Sequence, residues 1–207
     1  ALVPITVNDA GFRGLSGISL PATLEVRADQ RLVAREHGDV LFTHRGLSGP
    51  AVLQISHHLA CPDGAERQLL MRFGTQDWRE ALADGRGGRT VGTPVREGLP
   101  RRLADLLLQR AGVVADIRLA TLPKARRKAL MAELERCAIP WTGTEGYKTA
   151  EVTAGGIPMQ EVQLKTLESR VAPGLFLCGE LLDVTGRLGG YNFLWAWVSG
   201  RRAGEGA

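Results

Sequence analysis

The stretch TLEVRADQRLVARE, residues 23–36, sets the architecture of the first part of this chain. Apolar and polar residues alternate on both sides of Asp29-Gln30, and this period of two is typical of β-strands. Two such runs joined by two residues predict a β-hairpin. DVLFTH (39–44) continues the pattern. Residues 1–45 are therefore expected to be β-rich.

Helices and one further strand are predicted after this region. SGPAVLQISHHL (48–59) has helical spacing of its apolar residues, with Ser48 as a possible N-cap and Pro50 in the first turn. RQLLMRF (67–73) is again typical of a strand, and the glycine-rich residues 84–94 predict a loop. Two amphipathic helices are predicted over PRRLADLLLQRAG (100–112) and LPKARRKALMAELERCAIP (122–140).

Beyond Pro140 the chain consists of short segments separated by glycines. YKTAEVTAGGIP (147–158) predicts a strand that runs into a Gly-Gly turn, and EVQLKTLES (161–169) predicts another extended segment. LFLC, within 173–180, predicts a buried strand that contains Cys178. An apolar strand of this kind normally has sheet neighbours and cover on both faces. These residues are therefore expected to belong to a larger sheet.

Composition and charge limit the classes of function. The 207 residues are 44% hydrophobic and contain no apolar run of about 18, which argues against a membrane span. The three cysteines form no CxxC pair, which favours a cytoplasmic protein. The net charge is +4, from +5 in residues 1–148 and −1 in 149–207. Because the arginines are dispersed, a solvated surface is favoured over nucleic-acid binding.

Several catalytic motifs are absent from the sequence. RGLSG occurs at 13–17 and 45–49, but neither copy completes the Gly-x-Ser-x-Gly pattern of a hydrolase nucleophile. No metal site is predicted, because the histidines lack ligand spacing. The four histidines are His37, His44, His57 and His58. No phosphate-binding glycine loop follows a strand.

CGELLDVTGRLGGYNFLWAWVSGRRAG, residues 178–204, has a different character. Gly179-Glu180 would let a ligand approach the backbone, and Asp183 could accept hydrogen bonds from ligand hydroxyls. Gly189-Gly190 precede Asn192, a good N-cap, so the positive end of a helix would face this loop. The helix is apolar all round, which predicts that it is buried.

This segment strongly resembles the C-terminal signature of the BaiN-like NAD(P)/FAD-dependent oxidoreductases, a bacterial flavoprotein family. VLFTHRGLSGPAVLQIS (40–56) and AEVTAGGIPMQEVQLKTLESR (150–170) resemble the family as well. The resemblance implies an α+β insert domain, made of a partial β-barrel and a small helical unit, joined to the C-terminal part of a Rossmann-type α/β FAD-binding domain. The implied insert is 1–148, with β-rich 1–96, helical 97–137 and return segment 138–148; the FAD-binding part is 149–207.

The resemblance also implies a flavin site. Asp183 would lie at the ribityl-pyrophosphate end beside Gly179-Glu180, and the Gly189-Asn192 loop would lie against the isoalloxazine ring, with Gly155-Gly156 nearby. The residues expected to bind FAD are Gly155, Gly156, Gly179, Glu180, Asp183, Gly189, Gly190, Tyr191, Asn192 and Phe193. No catalytic residue is assigned, and His44 and Tyr191 are the candidates near the expected ring. NAD(P)H is a possible reductant.

The family's N-terminal half, with its dinucleotide fingerprint, is missing here, and the chain does not begin with Met. The chain is therefore expected to be a fragment of an FAD-dependent oxidoreductase that binds FAD weakly or not at all and is inactive alone. It is also expected to self-associate through an exposed Trp195/Trp197 surface. Its expected partner is a small-molecule substrate, without nucleic acid or membrane. The alternative is a non-enzymatic, basic binding module for nucleic acid or a protein partner.

Overall fold

The computed structural model describes residues 2–61, 63–83 and 88–207. The chain divides into two compact units. The first, the sheet unit, is Pro4–Thr144, and the second, the C-terminal unit, is Leu2 and Val3 together with Glu145–Ala207. None of the described helices is both long and apolar enough to cross a membrane.

The sheet unit is built on one antiparallel sheet of seven strands in the order β6-β5-β2-β3-β4-β1-β7. The expected α+β class is therefore confirmed for this unit. The strands are β1 (Ile5–Val7), β2 (Ser19–Ala28), β3 (Arg31–Phe42), β4 (Gly46–Ser48), β5 (Arg67–Phe73), β6 (Cys137–Ile139) and β7 (Trp141–Thr144).

The predicted hairpin is confirmed as β2 and β3. Asp29 and Gln30 form its turn with φ values of 46° and 67°. Positive φ at both central residues gives a turn whose twist matches that of the two strands. The strands then pair from Ala28–Arg31 to Ser19–Leu41, with one irregularity after Val26. This long pair forms the centre of the sheet.

Seven α-helices occur in the described residues, and the two predicted amphipathic helices are confirmed as α5 and α6. The helices are α1 (Ala10–Arg13), α2 (Pro50–Leu59), α3 (Trp78–Ala81), α4 (Gly92–Gly98), α5 (Arg101–Arg110), α6 (Lys124–Arg136) and α7 (Tyr191–Gly206). Residues 84–87 of the predicted loop lie outside the described residues, and its end is helical in α4.

One face of the sheet and the helices enclose the core of the sheet unit. Leu24 and Val26 of β2 are fully buried, as alternation requires for one face of a strand. Val52 and Ile55 of α2 are also fully buried. Their spacing of three places them on the same side of the helix, so that side forms the second layer of the core.

The predicted cap of α2 is wrong. Ser48 belongs to β4, where it pairs with Leu41, and α2 begins after Gly49 without any side-chain cap. Gly49 has φ of 96°, and a Cβ there would approach the carbonyl oxygen of Asp39 to 2.8 Å. The close approach of β3 therefore requires glycine directly before the helix.

The strands predicted in the C-terminal unit are wrong. Among its described residues, segments 147–158, 161–169 and 173–178 form only isolated single-residue bridges and turns. Cys178 is exposed and lies outside any strand. The extended pattern lacks a neighbouring strand to pair with, and backbone groups then form turn hydrogen bonds instead. The joining to a Rossmann-type sheet stays a prediction.

Candidate functional site

A cavity of about 440 Å³ lies within the C-terminal unit. Its wall contains the start of α7, the loop before it and the Leu2–Val152 bridge. The lining residues are Leu2, Glu151, Val152, Glu180, Val184, Leu188, Gly189, Gly190, Asn192, Phe193, Trp195 and Ala196. This volume is within the usual range for small-molecule sites. The cavity is therefore the candidate site of this unit.

Gly179 is held from both sides by residues of α7. Its N–H donates to Ser199 Oγ at 2.9 Å, and its carbonyl oxygen accepts from Trp195 Nε1 at 3.1 Å. Ser199 is buried and also donates to the carbonyl oxygen of Trp195 at 2.5 Å. Because Gly179 has φ of 70°, a left-handed conformation, these bonds stabilise a turn that favours glycine.

The turn after Gly179 is joined to the segment around Gly155. Glu180 Oε1 accepts from the backbone N–H and the hydroxyl of Thr153 at 2.8 and 3.0 Å. Asp183 Oδ1 accepts from the Gly155 N–H at 3.1 Å. Two of the expected site residues, Gly155 and Asp183, are thus in direct contact. Each carboxylate has one oxygen bound to the protein, and its second oxygen accepts no hydrogen bond from the described residues.

Gly156 has its own steric reason to be glycine. A Cβ at this position would clash with the carbonyl oxygen of Leu181. Ile157, the next residue, donates its N–H to the same oxygen at 2.8 Å. The segment can therefore approach the 179–183 turn only because Gly156 has no side chain.

The loop before α7 is fixed by Asn192. Its Oδ1 accepts from the Gly186 N–H at 2.7 Å, and its Nδ2 donates to the Gly186 carbonyl oxygen at 3.1 Å. The predicted N-cap role of Asn192 is therefore wrong, because the residue lies inside α7 and its amide binds back to the loop. The cap position is Gly190, with φ of 92° and no side-chain cap. Gly189 also has positive φ, 111°.

The predicted burial of α7 is wrong for the chain as described. Phe193 is 76% exposed and Trp197 is 78% exposed. Trp195 is partly buried against the small core of the C-terminal unit, and Ser199 and Ala203 are buried. One side of the helix therefore packs on the unit while its aromatic side faces solvent. This exposed side, Phe193 and Trp197, is called the aromatic face below.

The expected site residues fall into two groups in the structure. The cavity wall contains five of them: Glu180, Gly189, Gly190, Asn192 and Phe193. Gly155, Gly156, Gly179 and Asp183 form the hydrogen-bonded frame around the 179–183 turn, and Tyr191 is 57% exposed at the start of α7. His44, the other speculative catalytic residue, is exposed in the sheet unit. No group of three or more metal-binding side chains occurs in the described residues.

Sequence reasoning missed the residues that support the site. Ser199 and Thr153 hold Gly179 and Glu180, while Leu2 and Val152 form part of the cavity wall. A serine that directly follows the apolar run 193–198, four residues after Trp195, was a usable signal, because that spacing places both on one helix face. The contribution of Leu2 had no local signal, since it is distant in sequence.

The electrostatics of the cavity combine acidic side chains with a helix N-terminus. Glu151 and Glu180 line it, and no basic side chain of the described residues does. The first N–H groups of α7, a helix of 16 residues, have no intrahelical acceptors and carry partial positive charge. The arrangement can therefore accept hydrogen bonds from a ligand at the carboxylates and stabilise negative charge near Gly190.

Comparisons with known proteins agree on one family. The model of the HI0933-like protein barrel and H2TH domain matches residues 1–152. The chain is 39% identical over 201 residues to the ribosomal RNA dihydrouridine synthase of Haemophilus influenzae, and 38% identical over 201 residues to the Escherichia coli protein of that name. These matches cover 96% of this chain and 49% of each relative.

A third relative is named for a different activity. The 3-dehydro-bile acid delta(4,6)-reductase of Clostridium scindens is 32% identical over 216 residues, covering 100% of this chain and 53% of that protein. The chain thus spans about half the length of the curated relatives it matches.

Proposed function

Because the chain belongs to the HI0933-like family of flavoprotein oxidoreductases, we propose that it is the part of an FAD-dependent oxidoreductase that holds one side of the flavin. The membership confirms the family resemblance predicted from the sequence. One observation carries the proposal: five of the ten expected flavin residues line one cavity within the C-terminal unit.

The residues of the cavity fit part of a flavin. Gly189 and Gly190 leave open space, since a Cβ on either would contact nothing within 4 Å. A planar ring could therefore lie close to their backbone, next to the positive end of α7. Bound flavin supplies hydride transfer, and the protein supplies position and electrostatics. In this proposal the α7 N-terminus stabilises negative charge on the ring.

The two carboxylates have a separate role in this proposal. Glu180 and Asp183 each keep one oxygen available while the other is fixed by Thr153 or Gly155. Fixed acceptors of this kind suit the hydroxyl groups of the ribityl chain. Asn192 holds the loop, because its amide both accepts from the Gly186 N–H and donates to the Gly186 carbonyl oxygen.

The remaining flavin contacts are proposed to come from residues outside these 207. The reading frame upstream of Ala1 tests this, since a strand-GxGxxG-helix unit there is expected.

Weak or absent FAD binding by the isolated chain stays a prediction, and tight stoichiometric binding in an absorbance titration would overturn it. Self-association through Trp195 and Trp197 also stays a prediction, which light scattering measures; Trp197 is exposed, whereas Trp195 is partly buried.

Gly190→Ala tests the flavin site directly. Alanine at φ of 92° is strained by about 1–3 kcal/mol, so the loop should shift away from its position under the ring. We expect the protein expressed from its complete reading frame to lose co-purifying FAD, measured by flavin absorbance after denaturation.

Gly200→Ala is the matched control. It lies in the same helix, and its added Cβ would contact nothing within 4 Å. It should retain FAD. Equal FAD content in the parent and both variants would contradict the proposed site.

A second candidate concerns the substrate. Two relatives, at 39% and 38% identity, are named ribosomal RNA dihydrouridine synthases, whereas the bile-acid reductase is 32% identical. Forming dihydrouridine from uridine adds two hydrogens to a ring double bond, which is chemistry that a flavin reductase can perform. These identities favour a uridine in RNA over a free small molecule. NAD(P)H is the proposed reductant in either case.

A uridine-containing ribosomal RNA fragment tests this second candidate. Incubated with the complete flavoprotein and NAD(P)H, it should gain dihydrouridine, detected by mass spectrometry. Reduction of a 3-dehydro bile acid with no change in the RNA would contradict this choice of substrate.

A further inference from the structure

The positive charge of the sheet unit is concentrated in one segment. Residues 92–136, which contain α4, α5 and α6, carry ten Lys and Arg residues against five Asp and Glu residues, a net charge of +5. The rest of the unit, 4–91 and 137–144, has ten of each and no net charge. The basic excess is therefore a local feature of the helical segment.

Most acidic residues of this segment are already paired with arginines. Asp105 contacts Arg96 at 2.8 Å, and Glu133 contacts Arg110 at 2.9 Å. Two more acidic residues, Glu97 and Glu135, pair with arginines outside the segment at 2.5 and 3.0 Å. These carboxylates are consequently engaged and do not neutralise the remaining cations.

Four exposed cations of the segment have neither an ion pair nor a side-chain hydrogen bond among the described residues, whereas Arg102 and Arg126 donate to backbone carbonyl oxygens. The four are Arg118, Lys124, Lys128 and Arg136. Three of them follow the exposed side of α6 over about 18 Å, with Ala125 and Ala132 also exposed along this helix. The surface formed by these four cations is called the basic face. A polyanion could approach it closely, since short side chains separate the charges.

The composition of the basic face distinguishes between possible partners. Between residues 118 and 136 no described large hydrophobic side chain is exposed. A protein interface normally has an apolar or aromatic centre, and a membrane-binding helix needs an apolar face to insert. Contacts with phosphates need only cations, so the face matches the backbone of a nucleic acid.

We infer that the basic face binds the phosphate backbone of the RNA whose base is the substrate. This inference rests on the second candidate of the proposed function. The backbone contacts would supply affinity and orientation but no reading of sequence. The dispersed arginines outside residues 92–136 would contribute little to RNA binding, because the rest of the sheet unit has no net charge.

RNA binding by the complete 207-residue chain tests the inference. A short, fluorescein-labelled, uridine-rich RNA is titrated with protein at several salt concentrations, without flavin. The triple variant Lys124→Ala, Lys128→Ala, Arg136→Ala should bind more weakly. The slope of log K against log salt should become shallower by about 2, since each lost phosphate contact removes about 0.7.

The matched control removes the same charge from other places. Arg13→Ala, Arg31→Ala, Lys165→Ala deletes three exposed cations that lie outside 92–136. It should keep the salt slope of the unchanged chain. Equal loss in both triple variants, or no measurable RNA binding by the unchanged chain, would overturn the inference.

Two further measurements separate the remaining outcomes. If poly-glutamate displaces the RNA as well as an RNA competitor of equal charge does, the face is an acidic-protein site and the inference fails. FAD content of the same triple variant, in the complete protein, should be unchanged. The FAD content of Gly190→Ala therefore reports on the flavin site, and it does so independently of RNA binding.

Discussion

The two units of this chain are stabilised in different ways. Among the described residues, the sheet unit has a continuous core of 36 buried apolar residues, whereas the core cluster of the C-terminal unit contains five. The smaller unit is held by specific hydrogen bonds to glycine backbone, and it leaves the aromatic face exposed. Buried apolar area stabilises the first unit, whereas the second depends on a few polar side chains.

The largest expected effect is in the core of the sheet unit. Phe42 is fully buried and stacks on Phe12 with ring centroids 6.2 Å apart. Phe42→Ala leaves a cavity, so we expect the free energy of unfolding to fall by about 3–5 kcal/mol. Urea denaturation followed by far-ultraviolet circular dichroism measures this.

Val33→Ala in the same strand is the control, since Val33 is 45% exposed. Its unfolding free energy should change by no more than about 0.5 kcal/mol. Similar losses in both variants would mean that the sheet unit is not stabilised mainly by its core.

A smaller and local effect is expected in the C-terminal unit. Ser199→Ala removes the acceptor of the buried Gly179 N–H, at a cost of about 1–3 kcal/mol. Hydrogen exchange at the Gly179 amide should accelerate, while amides of β2 and β3 keep their protection. Exchange detected by NMR measures both in one experiment.

Val198→Ala, next in the chain and exposed, should leave the Gly179 amide unchanged. Faster exchange throughout the sheet unit in Ser199→Ala would show that the two units unfold together, contrary to the comparison above.

The smallest effect concerns pH. Burial, together with the neighbouring charge of His58, lowers the pKa of His57 in the folded sheet unit. The unfolded chain then binds more protons below about pH 6.5, so stability should fall as the pH drops from there towards the folded pKa. His57→Gln should flatten this dependence by less than about 1 kcal/mol, because the ring is only partly buried.

Denaturation midpoints measured from pH 7 to pH 5 test this expectation. His44→Gln, at an exposed position, is the matched control. A steeper curve in His57→Gln would mean that the charged ring is favoured in the folded protein.

Local patterns were sufficient for much of the sheet unit. The β2–β3 hairpin, α5 and α6 follow from alternation and helical periodicity, because each has one face towards a large core. The same reasoning failed for 161–169 and 173–178, where an apolar run has no strand to pair with. It also failed for Asn192, whose amide reaches back to Gly186 instead of capping the helix.

The sequence alone was enough to predict the family and the hairpin, because motif and periodicity are local properties, while the ten residues of the expected flavin site stay a prediction. Only the tertiary structure placed Ser199 and Trp195 on Gly179, and Leu2 in the cavity wall. Those contacts join residues far apart in the chain, and no local pattern records which backbone groups a side chain will meet. The same holds for the basic face, whose available charge depends on which acidic residues are already paired.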